Sequence, residues 1–232
     1  MKLRCLSCFF AILLAALSFG AAAFASMPAI NRFTEGVAAV QGVWYDLDGV
    51  EVFSAEGASF DGRKILDVTG YGGSAEAANA DFCLEGKDGE KPSHVNITWT
   101  RDRRFLLVNG KYCRSTKEPV YYESARGVFL GMKTENALAL LGEPTEHTKN
   151  GRLIYPDMTL RASGGMVVAI FLPVGGARLD GNGLGADNAP EDFAEAYGFP
   201  AGWDGQDRRE IGNCGEYLQK KEGKIIFSLF AE

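Results

Sequence analysis

The chain has 232 residues, with 24 Lys plus Arg against 30 Asp plus Glu and a formal net charge of −6. Hydrophobic residues make up 46% and charged residues 23%, enough apolar content for a core, which excludes a disordered chain, a collagen and a coiled coil. The acidic balance argues against nucleic acid as a partner, because phosphate binding needs a basic surface.

The first elements read as an export signal. Met1-Lys2-Leu3-Arg4 is a short positive region, Phe9 to Leu17 is an unbroken apolar run, and Ala23-Phe24-Ala25 is a small-x-small cleavage pattern before Ser26. A membrane anchor needs roughly 20 apolar residues and a positive stop-transfer cluster, and none follows this run. Cys5 and Cys8 precede the run, whereas a lipidation cysteine would follow it. Cleavage after Ala25 would remove Lys2 and Arg4, make the chain more acidic, and leave Cys83, Cys113 and Cys214 with no membrane span. The expected divisions are a signal peptide over 1–25, an N-terminal segment over 26–36, an antiparallel β domain over 37–117 and an α+β domain over 118–232.

The β domain announces itself by alternation. Val43-Trp44-Tyr45 and Val50-Glu51-Val52-Phe53 flank Asp46-Leu47-Asp48-Gly49, where Asp-Gly is a hairpin signal. Short strands follow around Lys64 to Thr69 and Ala80 to Leu84. His94 to Thr100 alternates with Val95, Ile97 and Trp99 on one face, so one side is buried. Arg101 to Arg104 is the polar turn and Phe105 to Val108 the return strand. Close-spaced strands without a helical period favour a small barrel or sandwich. Gly42-Val43-Trp44 resembles the Gly-x-Trp of the first strand in lipocalin-type barrels, and that resemblance implies a calycin-like shape.

Cys83 and Cys113 both fall in predicted strands, and an oxidising compartment would allow them to pair. The bridge would close a loop of about 30 residues, worth roughly 3–4 kcal/mol. Cys214, in Gly212-Asn213-Cys214-Gly215, leaves other pairings open.

In the second half, Thr134 is placed to cap a helix through Leu141, with Gly142 at its end and Pro144 blocking continuation. Leu153 to Tyr155, Met158 to Ala162 and Met166 to Leu172 read as strands, the last two joined at Ser163-Gly164-Gly165. Pro190 to Gly198 reads as a second helix with acids in its first turn. Glu216 to Lys220 and Lys224 to Phe230 form a final hairpin, and the last strand is apolar enough to be central in a sheet. The succession of helix, hairpin, helix, hairpin hints at a degenerate duplication.

Val128 to Met132, the helix ending Leu140-Leu141-Gly142-Glu143-Pro144, the Tyr-ended strand and the hairpin together resemble the small α/β modules of the BamE/SmpA type and the tandem-repeat inhibitors of β-lactamase. That match spans about Val128 to Pro173. A BamE protein carries a lipid on its first residue, and this chain lacks the cysteine for it. Gly42-Val43-Trp44-Tyr45-Asp46, Thr116-Lys117-Glu118-Pro119 before Tyr121-Tyr122-Glu123-Ser124, and Gly165-Met166-Val167-Val168 resemble an exported two-domain protein family of Negativicutes-type bacteria, from which no function carries over.

Chemistry-bearing residues are sparse. Asp180 to Gly185 with Glu191 partly matches a calcium loop, but Leu184 stands where an oxygen ligand belongs and the expected entering helix is missing. His94 and His147 are isolated, and the mature chain has no Cys-x-x-Cys, which disfavours zinc. Gly-x-Ser-x-Gly and Walker signatures are missing too. Acid pairs occur at Asp46/Asp48, Glu85/Asp88 and Asp204/Asp207, all in predicted turns, where Asp serves backbone bonding. Tyr121, Tyr122 and Trp203 are aromatic boundary residues suited either to a partner or to packing the two halves.

The reading is an α+β fold: a calycin-like antiparallel β-barrel domain, then a smaller α/β module with short helices packed on an antiparallel sheet. Neither a catalytic nor a cofactor nor a metal residue is assigned. The expected function is an exported, periplasmic or secreted, non-enzymatic protein that binds a protein or surface component of the cell envelope. A glycan- or peptide-directed hydrolase, and a small-ligand carrier using the barrel around Trp44 and Trp99, are the alternatives. The oligomeric state stays open.

Overall fold

The fold comes from a computed structural model that describes residues 29–73, 77–212 and 215–229. The expected signal segment, 1–25, and Cys214 lie outside the described residues. Strands β1 (Gly42–Tyr45), β2 (Glu51–Glu56), β3 (Ser59–Phe60), β4 (Arg63–Gly73), β5 (Ala77–Leu84), β6 (Ser93–Thr100), β7 (Phe105–Val108) and β8 (Lys111–Arg114) follow one another around a closed antiparallel barrel. Tyr45 opposite Arg114 closes it. The expected barrel within an α+β fold is therefore present.

Alternation builds the wall. Along β5, Ala78, Ala80, Phe82 and Leu84 are buried while Ala77, Asn79, Asp81 and Cys83 are only partly so. Trp44, Phe53, Phe60, Ile65, Val68, Ile97, Trp99 and Leu106 fill the interior with them. Phe53 stacks on Phe60 at 4.4 Å and Phe82 meets Trp99 edge-on at 6.3 Å. Each fully buried side chain of this size contributes about 1.5–3 kcal/mol.

One element was not foreseen. The expected N-terminal segment is a helix, α1 (Ala29–Ala39), and Phe33, Val37, Ala39 and Val40 join the barrel core. It docks closely enough that a Cβ on Gly36 would lie 3.0 Å from Val68 Cγ1 and 3.1 Å from Phe82 Cζ, both interior groups. Trp44 Nε1 donates to the Val40 carbonyl at 2.7 Å just beyond the helix. Glu35 accepts hydrogen bonds from Tyr71 and Arg101 on the barrel. Helix α1 thus closes one end of the barrel.

The expected Cys83–Cys113 bridge is not formed, and both are free thiols. Cys113 points into the barrel core, whereas Cys83 takes an outward position of β5. With β6 and β7 between them and opposite facings, they cannot reach the roughly 4.4–6.8 Å between Cα atoms that a disulfide needs.

After the barrel, β9 (Ser124–Ala125) and β10 (Val128–Phe129) pair with each other, and α2 (Thr134–Leu141) follows. Thr134 is not the cap residue. Lys133 holds that place with an extended ψ of 133°, and the Thr134 N–H donates to the Gly165 carbonyl at 2.8 Å. That tertiary bond draws Thr134 into the first turn and leaves its buried hydroxyl without a partner. Helix α3 (Pro190–Tyr197) follows the sequence rules more closely: Asp192 accepts the Ala189 N–H at 3.0 Å, and Gly198 ends the helix at φ 69°.

The remaining strands are β11 (Glu146–His147), β12 (Arg152–Ile154), β13 (Thr159–Ser163), β14 (Met166–Pro173), β15 (Arg209–Ile211), β16 (Glu216–Lys221) and β17 (Lys224–Ser228). They form one antiparallel sheet in the order β11-β12-β13-β14-β17-β16-β15. The last strand is central, as its apolar run predicts. Apart from the extra edge strand β11, the order is symmetric about the β14–β17 pair, where Ile170 faces Phe227 and Leu172 faces Ile225. The first half is a helix followed by the four-stranded meander β11–β14, and the second a helix followed by the three-stranded meander β15–β17. The helices end alike, in Gly142-Glu143-Pro144 and Gly198-Phe199-Pro200, and each offers one fully buried residue at the same position, Ala137 and Phe193. The region after the barrel is the longer of the two, not the smaller. Among the described residues no helix is long and apolar enough to cross a membrane.

Candidate binding face

The two faces of the seven-stranded sheet differ. Leu153, Leu160, Ile170, Leu172, Leu218, Ile225 and Phe227 are buried in the second core with Ala137 and Phe193 of the helices. The register puts Arg152, Ile154, Thr159, Arg161, Phe171, Tyr217, Gln219, Lys221, Lys224 and Ile226 on the opposite face. These side chains are half-buried or exposed, whereas Ala169 and Ser228 on the same face are buried and Arg208 lies over the Tyr217 ring, so among the described residues the face is open around Phe171, Ile226 and Lys224. Its middle is apolar and aromatic, its outer positions are basic, and Glu146 and Glu210 stand on the outermost strands. Arg152, Thr159, Phe171, Pro173 and Lys224 line a depression of about 80 Å³. The Arg152 guanidinium lies 5.2 Å from the Phe171 ring centre, a cation–π contact that keeps the charge at the surface while covering carbon. On an acidic protein this is a basic, aromatic patch, the composition that protein-binding surfaces favour.

The end of the sheet next to the barrel is anchored instead. Glu216, at the start of β16, is fully buried and meets Arg104 of the β6–β7 turn at 3.1 Å. It also accepts the N–H groups of Tyr122 at 3.1 Å and Glu123 at 3.3 Å. Burial outweighs these partners and pushes the Glu216 carboxyl up to about 7. Glu123, buried beside it, accepts the Ser124 and Gly181 N–H groups at 2.9 Å each and the Tyr197 hydroxyl at 2.9 Å. Burial, and then the Glu123 charge, raise the Tyr197 hydroxyl far above its usual range. Phe105 of the barrel wall belongs to the second core, and Tyr112 packs against it.

The acids singled out in the sequence lie in three separate loops. Asp46 accepts the N–H groups of Asp48 and Val50 at 2.9 Å, and Asp48 pairs with Lys133 at 2.8 Å. Asp204 accepts the Gln206 N–H at 2.9 Å, and Asp207 faces Arg209 at 3.5 Å. Glu85 and Asp88 border the short turn between β5 and β6. In the Asp180 loop, the Asp180 carboxylate caps the β9–β10 turn through the Ser124 hydroxyl at 2.7 Å and the N–H groups of Arg126 and Gly127 at 3.0 and 2.8 Å. Burial pushes its pKa up, but those donors prevail and hold it below the usual carboxylate range. His94 sits outside the barrel, 4.0 Å from Asp81, and His147 lies on edge strand β11.

Tyr121 stacks on Phe129 at 4.1 Å, Tyr122 approaches Tyr197 at 6.2 Å, and Trp203 is buried with its Nε1 donating to Asp207 O at 2.7 Å. These aromatics therefore join parts of the chain, although Tyr121 and Tyr122 stay about half exposed. Trp44 and Trp99 are enclosed in the filled barrel. The open sheet face was not anticipated. Part of its signal was present in the predicted strands, where Arg161 follows buried Leu160 and Lys224 precedes buried Ile225, while Arg152 and Lys221 lie just outside them. No family model, curated protein or solved structure matches the chain.

Proposed function

We propose that this is an exported, non-enzymatic binding protein of the cell envelope that docks an acidic protein or surface component on the open face of its C-terminal sheet. The observation that carries this reading is the juxtaposition of Phe171, Ile226 and Tyr217 with Arg152, Arg161, Lys221 and Lys224 on a face that none of the described helices covers. The resemblance of Val128 to Pro173 to BamE-type and β-lactamase-inhibitor modules supports a protein as the partner. In this reading the calycin-like barrel is a scaffold whose filled interior anchors the sheet, and the N-terminal signal delivers the chain to the periplasm or medium.

The test is retention of envelope extract on the immobilised protein. Wild type and a barrel-surface control, Lys64→Glu, are expected to retain the same component. The double reversal Arg152→Glu/Lys224→Glu loses it, and about 1 M salt, where the screening length is about 3 Å, elutes it. Equal retention on all three proteins overturns the face assignment, and no retention by wild type overturns the binding role.

A further inference from the structure

The seam between barrel and sheet holds a second feature, independent of the open face. Arg114 ends β8 and is only 7% exposed. Its Nε donates to the Thr116 carbonyl at 3.1 Å and its Nη2 to the Lys117 carbonyl at 2.6 Å. Among the described residues no carboxylate lies within 4.0 Å of it, and its Nη1, which is not among the buried unpartnered atoms, keeps access to solvent. Two carbonyl dipoles satisfy part of the fork and leave its other end, with no carboxylate in contact, for solvent or an anion to meet.

Arg114 does not stand alone. It lines a cavity of about 110 Å³ together with Arg104, Thr116, Phe105, Val120 and Leu130. Arg104 spends its charge on Glu216 and donates to the Val120 carbonyl. Arg114, unlike Arg104, has no carboxylate within 4.0 Å among the described residues. Apart from Ser115 and Thr116 the rest of the lining is mostly carbon: Leu130 is fully buried, and Gly131 fits so tightly over Phe105 that a Cβ there would lie 2.6 Å from the ring. An apolar cavity of about 150 Å³ takes benzene, so this one has room for a ligand of about five non-hydrogen atoms.

We infer that the seam cavity binds a small carboxylate of the size of propionate, its charge met by the open end of the Arg114 guanidinium and its short alkyl end against Phe105, Val120 and Leu130. The planar fork of Arg is matched to a carboxylate, and the carbon lining disfavours an ion solvated on all sides, such as phosphate. Because Arg114 belongs to the barrel and Leu130 and Gly131 to the second half, the ligand would touch both parts of the chain.

The experiment is calorimetric titration of the full chain with sodium propionate, acetate, phosphate and chloride at constant ionic strength. Wild type is expected to bind propionate saturably, with acetate weaker and phosphate and chloride without measurable heat. Arg114→Gln is expected to weaken propionate by roughly tenfold or more, the loss that accompanies removal of a charge-assisted hydrogen bond. Should that variant not fold, Arg114→Lys keeps the charge but not the fork and is expected to weaken propionate several-fold. The inference is overturned if propionate gives no more signal than chloride, if phosphate binds better than propionate, or if the folded Arg114 variants bind propionate as wild type does.

Discussion

The buried carboxyl at the seam gives the most quantitative prediction. Glu216 has no exposed surface, and its pKa is pushed from the ordinary 4.5 up to about 7. The native state therefore holds this proton more tightly than the unfolded chain does. Stability from that proton is fully present below about pH 4.5 and is lost as pH rises through 7. One pKa unit corresponds to about 1.4 kcal/mol, so the whole shift amounts to about 3 kcal/mol, of which about 2.5 kcal/mol falls between pH 5 and pH 8. Glu216→Gln keeps an acceptor for the Tyr122 and Glu123 N–H groups but cannot titrate. Urea unfolding of both proteins at pH 5 and pH 8, followed by Trp fluorescence, isolates this group, because the other titrating residues are common to both. Wild type is expected to lose about 2.5 kcal/mol more than the variant on going from pH 5 to pH 8. Parallel pH dependences would refute the reasoning, for they would mean that Arg104 and the two N–H groups fully compensate burial.

Two further outcomes follow from the barrel. Gly36→Leu forces a side chain against Val68 and Phe82, so it should cost about 1–3 kcal/mol and red-shift the emission of Trp44, whose indole bonds the chain just after α1; unchanged stability and emission would remove α1 from the barrel mouth. In a Cys214→Ser background under non-denaturing conditions, Cys83 should react with a maleimide, while Cys113, buried and with its thiol pushed up to about 11, should react only on unfolding; peptide mapping that recovers a Cys83–Cys113 disulfide would contradict the opposed facings of β5 and β8.

Much of the barrel was legible because alternation is a local property. His94 to Thr100 carries its inside and outside in consecutive residues, and Asp48-Gly49 marks where β1 reverses into β2. Helix α1 was legible in principle, since Phe33, Gly36, Val37 and Val40 recur at helical spacing, but they stand beside an export signal that draws the eye. The disulfide failed for a non-local reason: strand membership says nothing about which side of a wall each sulfur faces until the register is known. Thr134 failed in the same way, because the Gly165 carbonyl that recruits its N–H lies across the fold. The open face required pairing alternate residues from strands far apart in sequence. The seam arginines became meaningful only once Glu216, 112 residues from Arg104 along the chain, was found against it.

The near-symmetric pairing of the two halves through β14 and β17 has a consequence for assembly. A chain ending after β14 would present that strand's outer edge, from Ala169 to Pro173, as an unpaired row of N–H and C=O groups, the kind of edge that invites self-association. The partner of matching geometry is a second copy of the same half, turned by a twofold rotation so that the two central strands run antiparallel. The present chain carries that arrangement within itself. Strand β17 covers that edge within the one chain, and the two halves then carry different surfaces: the Arg152–Phe171 depression, which Lys224 of the second half completes, and the Glu216 anchor.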